Sequence, residues 1–439
     1  MRTPFFKRIR SGMALGLGVV LLSSGLVPVV QPAFAQAQKY GVACSTSPTA
    51  TFTLDTKEGY IQLPDGNIMY MWGYSEGGDT FQHPGPVLCV NQGDTVTIVL
   101  QNGLPEDVSI IFPGQENVQA NGVPAQPQFS GTTLTSLTNV AAANGGSVTY
   151  SFVASNPGSF IYESGTMPQK QVRMGLFGAL VVRPATVPVG GTGTPAEYAY
   201  NRLDSRFTPT EEYMVLLSDI DPYQHEAVEG GGSYNLNNYH PRYWLINGRG
   251  FPDSISDNFS PFLPDQPYGA LARIYPYDPG SHPYPGRINY LNVGTENYPY
   301  HPHGNNGLVI GRDGRPLEGP AGQDLSFEKF AINIGPGQTW DVQFKWHNAE
   351  GYASSPPSLN VPVVIPAVNN QEFGMFYSGS PYLGETGPLP PGASTLNECG
   401  AYYILSHNHA LFQITSWGVN MTGPITFVRI DPPLPNTCP

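Results

Sequence analysis

Two short segments of this 439-residue chain, His301-Pro302-His303 and His407-Asn408-His409, carry the residue types best suited to chemistry. In an extended strand residues i and i+2 project from one face, so each H-x-H is a two-nitrogen claw. Neutral imidazole suits copper and zinc, and an exported protein meets both metals. Four imidazoles on two strands make one site, for one or two ions, only if those strands are neighbours. The plain alternative is a set of hydrogen-bonded histidines in a structural pocket. His83, His225, His240, His282 and His347 are scattered and read as ordinary polar surface or loop residues, with His240 a minor candidate because it lies close to the Tyr243 segment. Asp219 and Asp221 offer two carboxylates to Ca²⁺, but before Pro222 they fit a turn and a helix cap better. No phosphate-cradling G-x-x-x-x-G-K-[ST] loop and no G-x-S-x-G elbow occurs.

The elements that position these histidines read as strands. Val96, Ile98 and Leu100 alternate with polar residues, as do Val148, Tyr150 and Phe152, and Ile425 and Phe427 repeat the pattern. Trp340, Val342, Phe344 and Trp346 alternate with Asp341, Gln343 and Lys345, which predicts one buried aromatic face and one wet face. No window of helical length carries an apolar stripe, so helices should be short and confined to connections. With 51 Gly and 45 Pro and only 12% charged residues, the class is all-β, with sandwiches the expected form.

Arg2, Lys7, Arg8 and Arg10, an apolar run from Met13 to Val30, and Ala33-Phe34-Ala35 predict a removed secretory signal over residues 1–35. The expected location is therefore exported, periplasmic or extracellular, with no membrane span after signal removal. The following 404 residues exceed one core. A first sheet-rich domain over 40–186, a linker over 187–210 and a second domain over 211–435 are expected, with Gly/Pro/Ser-rich insertions near 222–240 and 350–398. Tyr234, Tyr239, Tyr298 and Tyr300 in these neighbourhoods read as core or rim cover, or as partner contacts. After the signal, 16 Lys and Arg face 33 Asp and Glu, which argues against a nucleic-acid partner or an anionic lipid surface. Cys44, Cys89, Cys399 and Cys438 are an even set in an exported chain and predict disulfides in any of three connectivities, one of which, Cys44 with Cys438, would tie the two ends together.

Several segments resemble the multicopper oxidases in order along the chain: Gly85-Pro86 with Gln92-Gly93-Asp94-Thr95-Val96, then 175–180 (GLFGAL), 243–249 (YWLINGR) and 335–342 (GPGQTWDV). The resemblance implies tandem cupredoxin-like Greek-key sandwiches. In the family pattern H-P-x-H-x-H-G, Pro299, His301, His303 and Gly304 match, while Tyr298 stands where a type 1 copper histidine is normal. In H-C-H-x-x-x-H, His407 and His409 match, Asn408 replaces the type 1 cysteine and Gln413 the last histidine. A blue copper site needs a thiolate and two imidazoles, so the resemblance implies that this site is missing. The first-domain histidine segments fall on Ile111-Phe112-Pro113-Gly114 and Glu163-Ser164-Gly165.

The resulting expectation is a secreted, copper-binding protein using a four-histidine remnant of the trinuclear centre, with at most non-laccase oxidoreductase activity. The missing half of the centre would come from a different, intact multicopper oxidase subunit rather than from another copy of this chain, with a homo-oligomer as the other partner expectation. The alternative is a metal-free cupredoxin-fold structural or partner-binding protein of the cell envelope.

Overall fold

Alternating segments become strands wherever a second sheet covers their apolar face. The computed structural model describes residues 38–347, 402–416, 418, 421–431 and 434. The expected secretory signal over 1–35, the expected 350–398 insertion, Cys399 and Cys438 lie outside the described residues. In the first half the strands are β1 Cys44–Ser45, β2 Thr51–Gln62, β3 Ile68–Glu76, β4 Val87–Asn91, β5 Thr95–Asn102, β6 Gln119–Ala120, β7 Val123–Pro124, β8 Gln128–Ser130, β9 Thr133–Ser136, β10 Gly146–Val153, β11 Gly158–Glu163 and β12 Phe177–Arg183, with helix α1 at Pro168–Gln171. In the second half they are β13 Glu212–Ile220, β14 Tyr243–Ile246, β15 Ala272–Ile274, β16 Pro276–Tyr277, β17 Gly286–Asn292, β18 Tyr298–Pro302, β19 Gly307–Arg312, β20 Arg315–Pro316, β21 Phe327–Lys329, β22 Ile332–Ile334, β23 Thr339–Phe344, β24 Trp346–His347, β25 Tyr402–Asn408 and β26 Ile425–Ile430. Helices α2 Pro222–Glu229 and α3 Leu411–Ile414 are short and sit in connections, as the missing apolar stripe predicts.

A sheet ordered β1-β4-β12-β11 faces one ordered β3-β2-β5-β10-β6-β7, and β14-β13-β17-β23-β19-β20 faces β15-β26-β25-β18-β22. The chain is thus all-β, two sandwiches in tandem. Each has its own core: Val96, Ile98, Leu100, Val148 and Tyr150 in the first, Tyr290, Tyr298, Tyr300, Val342 and Ile404 in the second. Val87, Ala179 and Val181 also pack against Met214, Leu216 and Leu291, so strands at the junction are buried on both faces.

That junction overturns the wet face expected for β23. Asp341 is fully buried and Gln343 nearly so. Arg287 Nη2 donates to Asp341 Oδ1 at 2.9 Å, Tyr200 donates to the same carboxylate, and Gln343 Nε2 donates to the Asp204 and Arg206 carbonyls at 2.9 and 3.0 Å. Polar residues alternate here because they form a buried network, not because water covers them. Glu212 completes it, accepting from Arg183 and from Arg287 at 3.1 Å. Burial opposes ionisation of Glu212, but the two guanidinium charges outweigh it and hold the carboxyl down at about 2. The connection over 187–210 is packed rather than free, with Tyr198, Tyr200 and Phe207 buried.

Cys44 pairs with Cys89, joining β1 to the parallel strand β4 and excluding the Cys44–Cys438 connectivity. Among the described residues no helix is long and apolar enough to cross a membrane.

Candidate metal centre

Antiparallel pairing of β18 with β25 puts His301 opposite His407, between the pairs Tyr300–Asn408 and Pro302–Ser406. The ladder continues at both ends, where His303 N donates to Leu405 O at 2.9 Å and His409 N to Pro299 O at 2.7 Å. Opposite residues share a face, so all four imidazoles emerge on one side while Tyr298, Tyr300 and Asn408 point into the sandwich. The two H-x-H segments therefore meet. Ring centroids are 4.5 Å apart for His301–His303, 5.1 Å for His303–His407, 5.5 Å for His407–His409 and 5.7 Å for His301–His409. Gly304, at φ 86°, turns the chain away at the end of β18, and a Cβ there would lie 2.5 Å from Trp346 and 2.9 Å from Ile404.

Two rings are fixed by backbone carbonyls. His301 Nδ1 lies 2.5 Å from Phe330 O and His407 Nδ1 lies 2.6 Å from Asn408 O. A carbonyl only accepts, so both rings carry hydrogen on Nδ1 and present a lone pair at Nε2, the arrangement that orients metal-ligating histidine. His303 Nε2 is 3.0 Å from His407 Nε2. Two nitrogens at that separation subtend about 95° at an ion bound ~2.0 Å from each, which is an ordinary ligand angle. Burial, reinforced by His301, His407 and His409, pulls His303 down to about 4. Burial also lowers His407, against the pull of the Asn408 carbonyl. Both rings are neutral at neutral pH, as ligation requires. Among the described residues, however, no group of three or more His, Cys, Asp or Glu side chains is set to hold one ion. The donors form a close pair with two flanking rings.

Behind the imidazoles, Asn408, Gln413 and Tyr298 are hydrogen-bonded to buried or half-buried partners. Asn408 donates to Gln413 Oε1, Gln413 Nε2 donates to Glu296 Oε2 at 2.7 Å, and Trp244 Nε1 donates to the same oxygen at 3.0 Å. Tyr298 OH donates to Ser218 O at 2.8 Å. Asn408, Gln413 and Tyr298 are all buried, and none supplies a thiolate or imidazole.

The equivalent place in the first sandwich has the same backbone and different chemistry. Ile111 bridges Glu163 antiparallel, as His301 bridges His407. Burial raises the Glu163 carboxyl to about 7, so this acid is protonated below neutral pH, and neither it nor Ile111 opposite is an imidazole.

The remaining sequence candidates separate cleanly. Asp221 caps α2, accepting from Tyr223 N at 3.0 Å, and Asp219 accepts from Tyr239 OH at 2.6 Å and Thr295 N at 2.5 Å, so both carboxylates serve structure. His83, His225 and His282 are buried, which corrects their reading as surface residues, although His83 and His282 do lie in loops and only His225 sits on a helix, α2. Burial, with His225 nearby, pulls His83 down to about 3, and burial takes His225 to about 4 while its Nδ1 meets Tyr70 O at 2.6 Å. His282 Nε2 lies 3.0 Å from Glu211 Oε1. Apolar cover on both sides of these loops is set by tertiary packing, which no local pattern announces. His240 is exposed and stands apart from the cluster.

Residues 80–186 match the family described as multicopper oxidase. That segment carries a multicopper oxidase domain match. Over 185 residues it is 36% identical to the L-ascorbate oxidase of Cucurbita maxima, covering 40% of this chain and 27% of that protein. Over 173 residues it is 27% identical to the multicopper oxidase VdtB of Byssochlamys spectabilis, covering 38% and 23%. The chain thus spans about a quarter of the length of these curated relatives. In fold it is similar to the multicopper oxidase mgLAC, with TM-score 0.55, 19% identity and coverage of 87% of this chain and 86% of that one. It is equally similar to the blue copper oxidase of Nitrosomonas europaea, with TM-score 0.55, 18% identity and coverage of 87% and 85%. The cupredoxin-like sandwich architecture follows.

Proposed function

We propose that the chain is an exported copper protein that binds one or two copper ions through His301, His303, His407 and His409 and has no type 1 copper site. The observation that carries this reading is the His303–His407 pair, with nitrogens 3.0 Å apart and His407 held by its carbonyl in the ligating tautomer. His303 and His407 would hold the ion, with His301 and His409 beside it to hold a second or to complete the shell. Bound copper would supply a one-electron redox centre. The chain's own residues keep two imidazoles neutral, aim Nε2 outward and wall one side with Phe330, whose ring meets His301 edge-on at 5.6 Å. Without a thiolate at Asn408, the laccase-type electron path through cysteine is missing. Any oxidoreductase activity is then of another kind.

Only half of a histidine set is present, and the first sandwich offers Ile111 and Glu163 at the matching bridge. Another copy of this chain would bring the same Ile111 and Glu163, so completion by a different, intact multicopper oxidase subunit follows from this reading. The lack of a three-ligand group favours a second reading, a metal-free partner-binding protein of the cell envelope.

Copper per chain, measured by mass spectrometry after expression with copper, decides between them. Bound metal that disappears in His303→Ala and His407→Ala, with a copper-dependent rise in Tm, supports copper binding. Metal-free protein whose Tm ignores Cu²⁺ refutes it. Copper content that rises on co-expression with an intact oxidase subunit supports completion by that partner, and unchanged content sinks it.

A further inference from the structure

The first sandwich contains a cleft of about 730 Å³ between residues 133–137, the Gly165–Pro168 turn and Gln171, with Glu106 and Asp107 at one side. Binding sites for small organic molecules fall in the range of roughly 300–1,000 Å³, with apolar walls and a few placed polar groups. Here Leu134, Leu137, Met167 and Pro168 form the apolar wall. Met167 precedes α1 in the left-handed region at φ 43°, a strained conformation for a residue with a side chain.

The floor decides what kind of molecule fits. Ser109, Ser136 and Thr166 are buried and make a ring of hydroxyls, with oxygen separations of 3.1 Å for Ser109–Ser136, 2.8 Å for Ser109–Thr166 and 3.0 Å for Thr166–Ser136. Each hydroxyl has one hydrogen and two lone pairs. The ring consumes all three hydrogens, and the conclusion is the same if Ser136 donates to Gly165 O, 3.4 Å away, instead of Ser109. Ser136 also accepts from Thr138 N at 3.3 Å, which uses its second lone pair. Thr166, which lines the cleft, keeps one lone pair and has no hydrogen to give. At this oxygen a ligand must therefore donate. Asp107 and Glu106 beside the cleft repel an anion, although Lys170 pairs with Glu106.

We propose that this cleft binds an uncharged, largely apolar organic molecule carrying one hydroxyl donor, which is placed on Thr166 Oγ1. The site is separate from the imidazole cluster and stands whether or not copper binds there.

The test is a fluorescence titration of metal-free full-length protein with 2-naphthol, 2-methoxynaphthalene and 2-naphthoate. These share one ring system as donor, acceptor-only and anionic probes. Saturable binding of one 2-naphthol per chain is expected, at least tenfold tighter than either other probe. Leu137→Arg, at a half-exposed position, should abolish binding of all three. Thr166→Val should bring 2-naphthol down to the level of 2-methoxynaphthalene, and Ser136→Ala serves as a second floor variant should Thr166→Val misfold. Equal affinity for the donor and acceptor-only probes in the wild-type protein overturns the proposal. So does absence of binding together with a self-association in sedimentation that Leu137→Arg abolishes, because a second copy would then fill the cleft.

Discussion

Replacing Arg287 by Met tests whether the network between the sandwiches holds the two halves together. Arg287 is fully buried on β17 and donates to Glu212 at 3.1 Å, Asp341 at 2.9 Å and Ser159 Oγ at 3.2 Å. In Arg287→Met, Glu212 keeps Arg183 and Asn289, but Asp341 keeps only the Tyr200 hydroxyl. Removing one partner of a buried ion pair costs about 3–5 kcal/mol, because a charge stays behind without compensation. The pH dependence has a definite sign. Glu212 titrates near 2 in the folded chain, below its ordinary 4.5, so its stabilisation is present above pH 4.5 and is lost as pH falls toward 2. The variant lacks much of that stabilisation, so its deficit against wild type should be largest at pH 7 and shrink toward pH 3. Urea unfolding at both pH values reads this directly. Arg287→Met/Asp341→Leu should recover part of the loss, since the stranded carboxylate is gone. A single variant as stable as wild type, or a deficit that does not change with pH, would refute the argument.

Gln413→Leu removes the link between Asn408 and Glu296 and should lower stability by about 1–3 kcal/mol in denaturant unfolding, since the buried Asn408 amide loses its partner while Glu296 keeps Trp244. His83 and His225 are held neutral with values near 3 and 4, below the ordinary 6.5, so stability should fall as pH drops below 6.5, by about 2 kcal/mol for each by pH 4.5. A His83→Gln variant whose Tm falls just as steeply over that range would contradict this. Glu163 has the opposite sign: its raised value means stability is full below 4.5 and lost as pH rises through 7, so Glu163→Gln should unfold at higher temperature than wild type at pH 8. Cys44→Ser with Cys89→Ser reopens a loop of 45 residues and should cost up to about 4 kcal/mol, read as the drop in Tm relative to the oxidised protein.

The sandwich class was legible because Val96, Ile98 and Leu100, or Val148, Tyr150 and Phe152, face one core and solvent lies behind them. The convergence of the four histidines was legible only as a condition, since sequence shows the i, i+2 spacing of each pair but not that β18 and β25 are neighbours. What misled was the junction. Asp341 and Gln343 follow the same period-two pattern as solvated residues, and only Arg287, Tyr200 and the Arg206 carbonyl, distant in sequence, reveal them as buried. His83 and His225 were misjudged for the same reason, because their cover comes from other segments. The cleft had no sequence signal beyond Met167-Pro168, since its floor joins Ser109, Ser136 and Thr166 from three separate stretches.

The pairing of His301 with His407 has a consequence for how this site can change over evolutionary time. Side chains alternate faces along a strand, so a single-residue slip of β18 or β25 would send two imidazoles into the core and bring Tyr300 or Asn408 out in their place. Turns that carry none of the strands or contacts around the histidines can lengthen or shorten without such a slip. Insertions there are neutral to the histidine geometry, whereas one deletion within either five-residue stretch around the histidines erases it. The site is therefore inherited as a register, and variants should be found in its connections long before they are found in its frame.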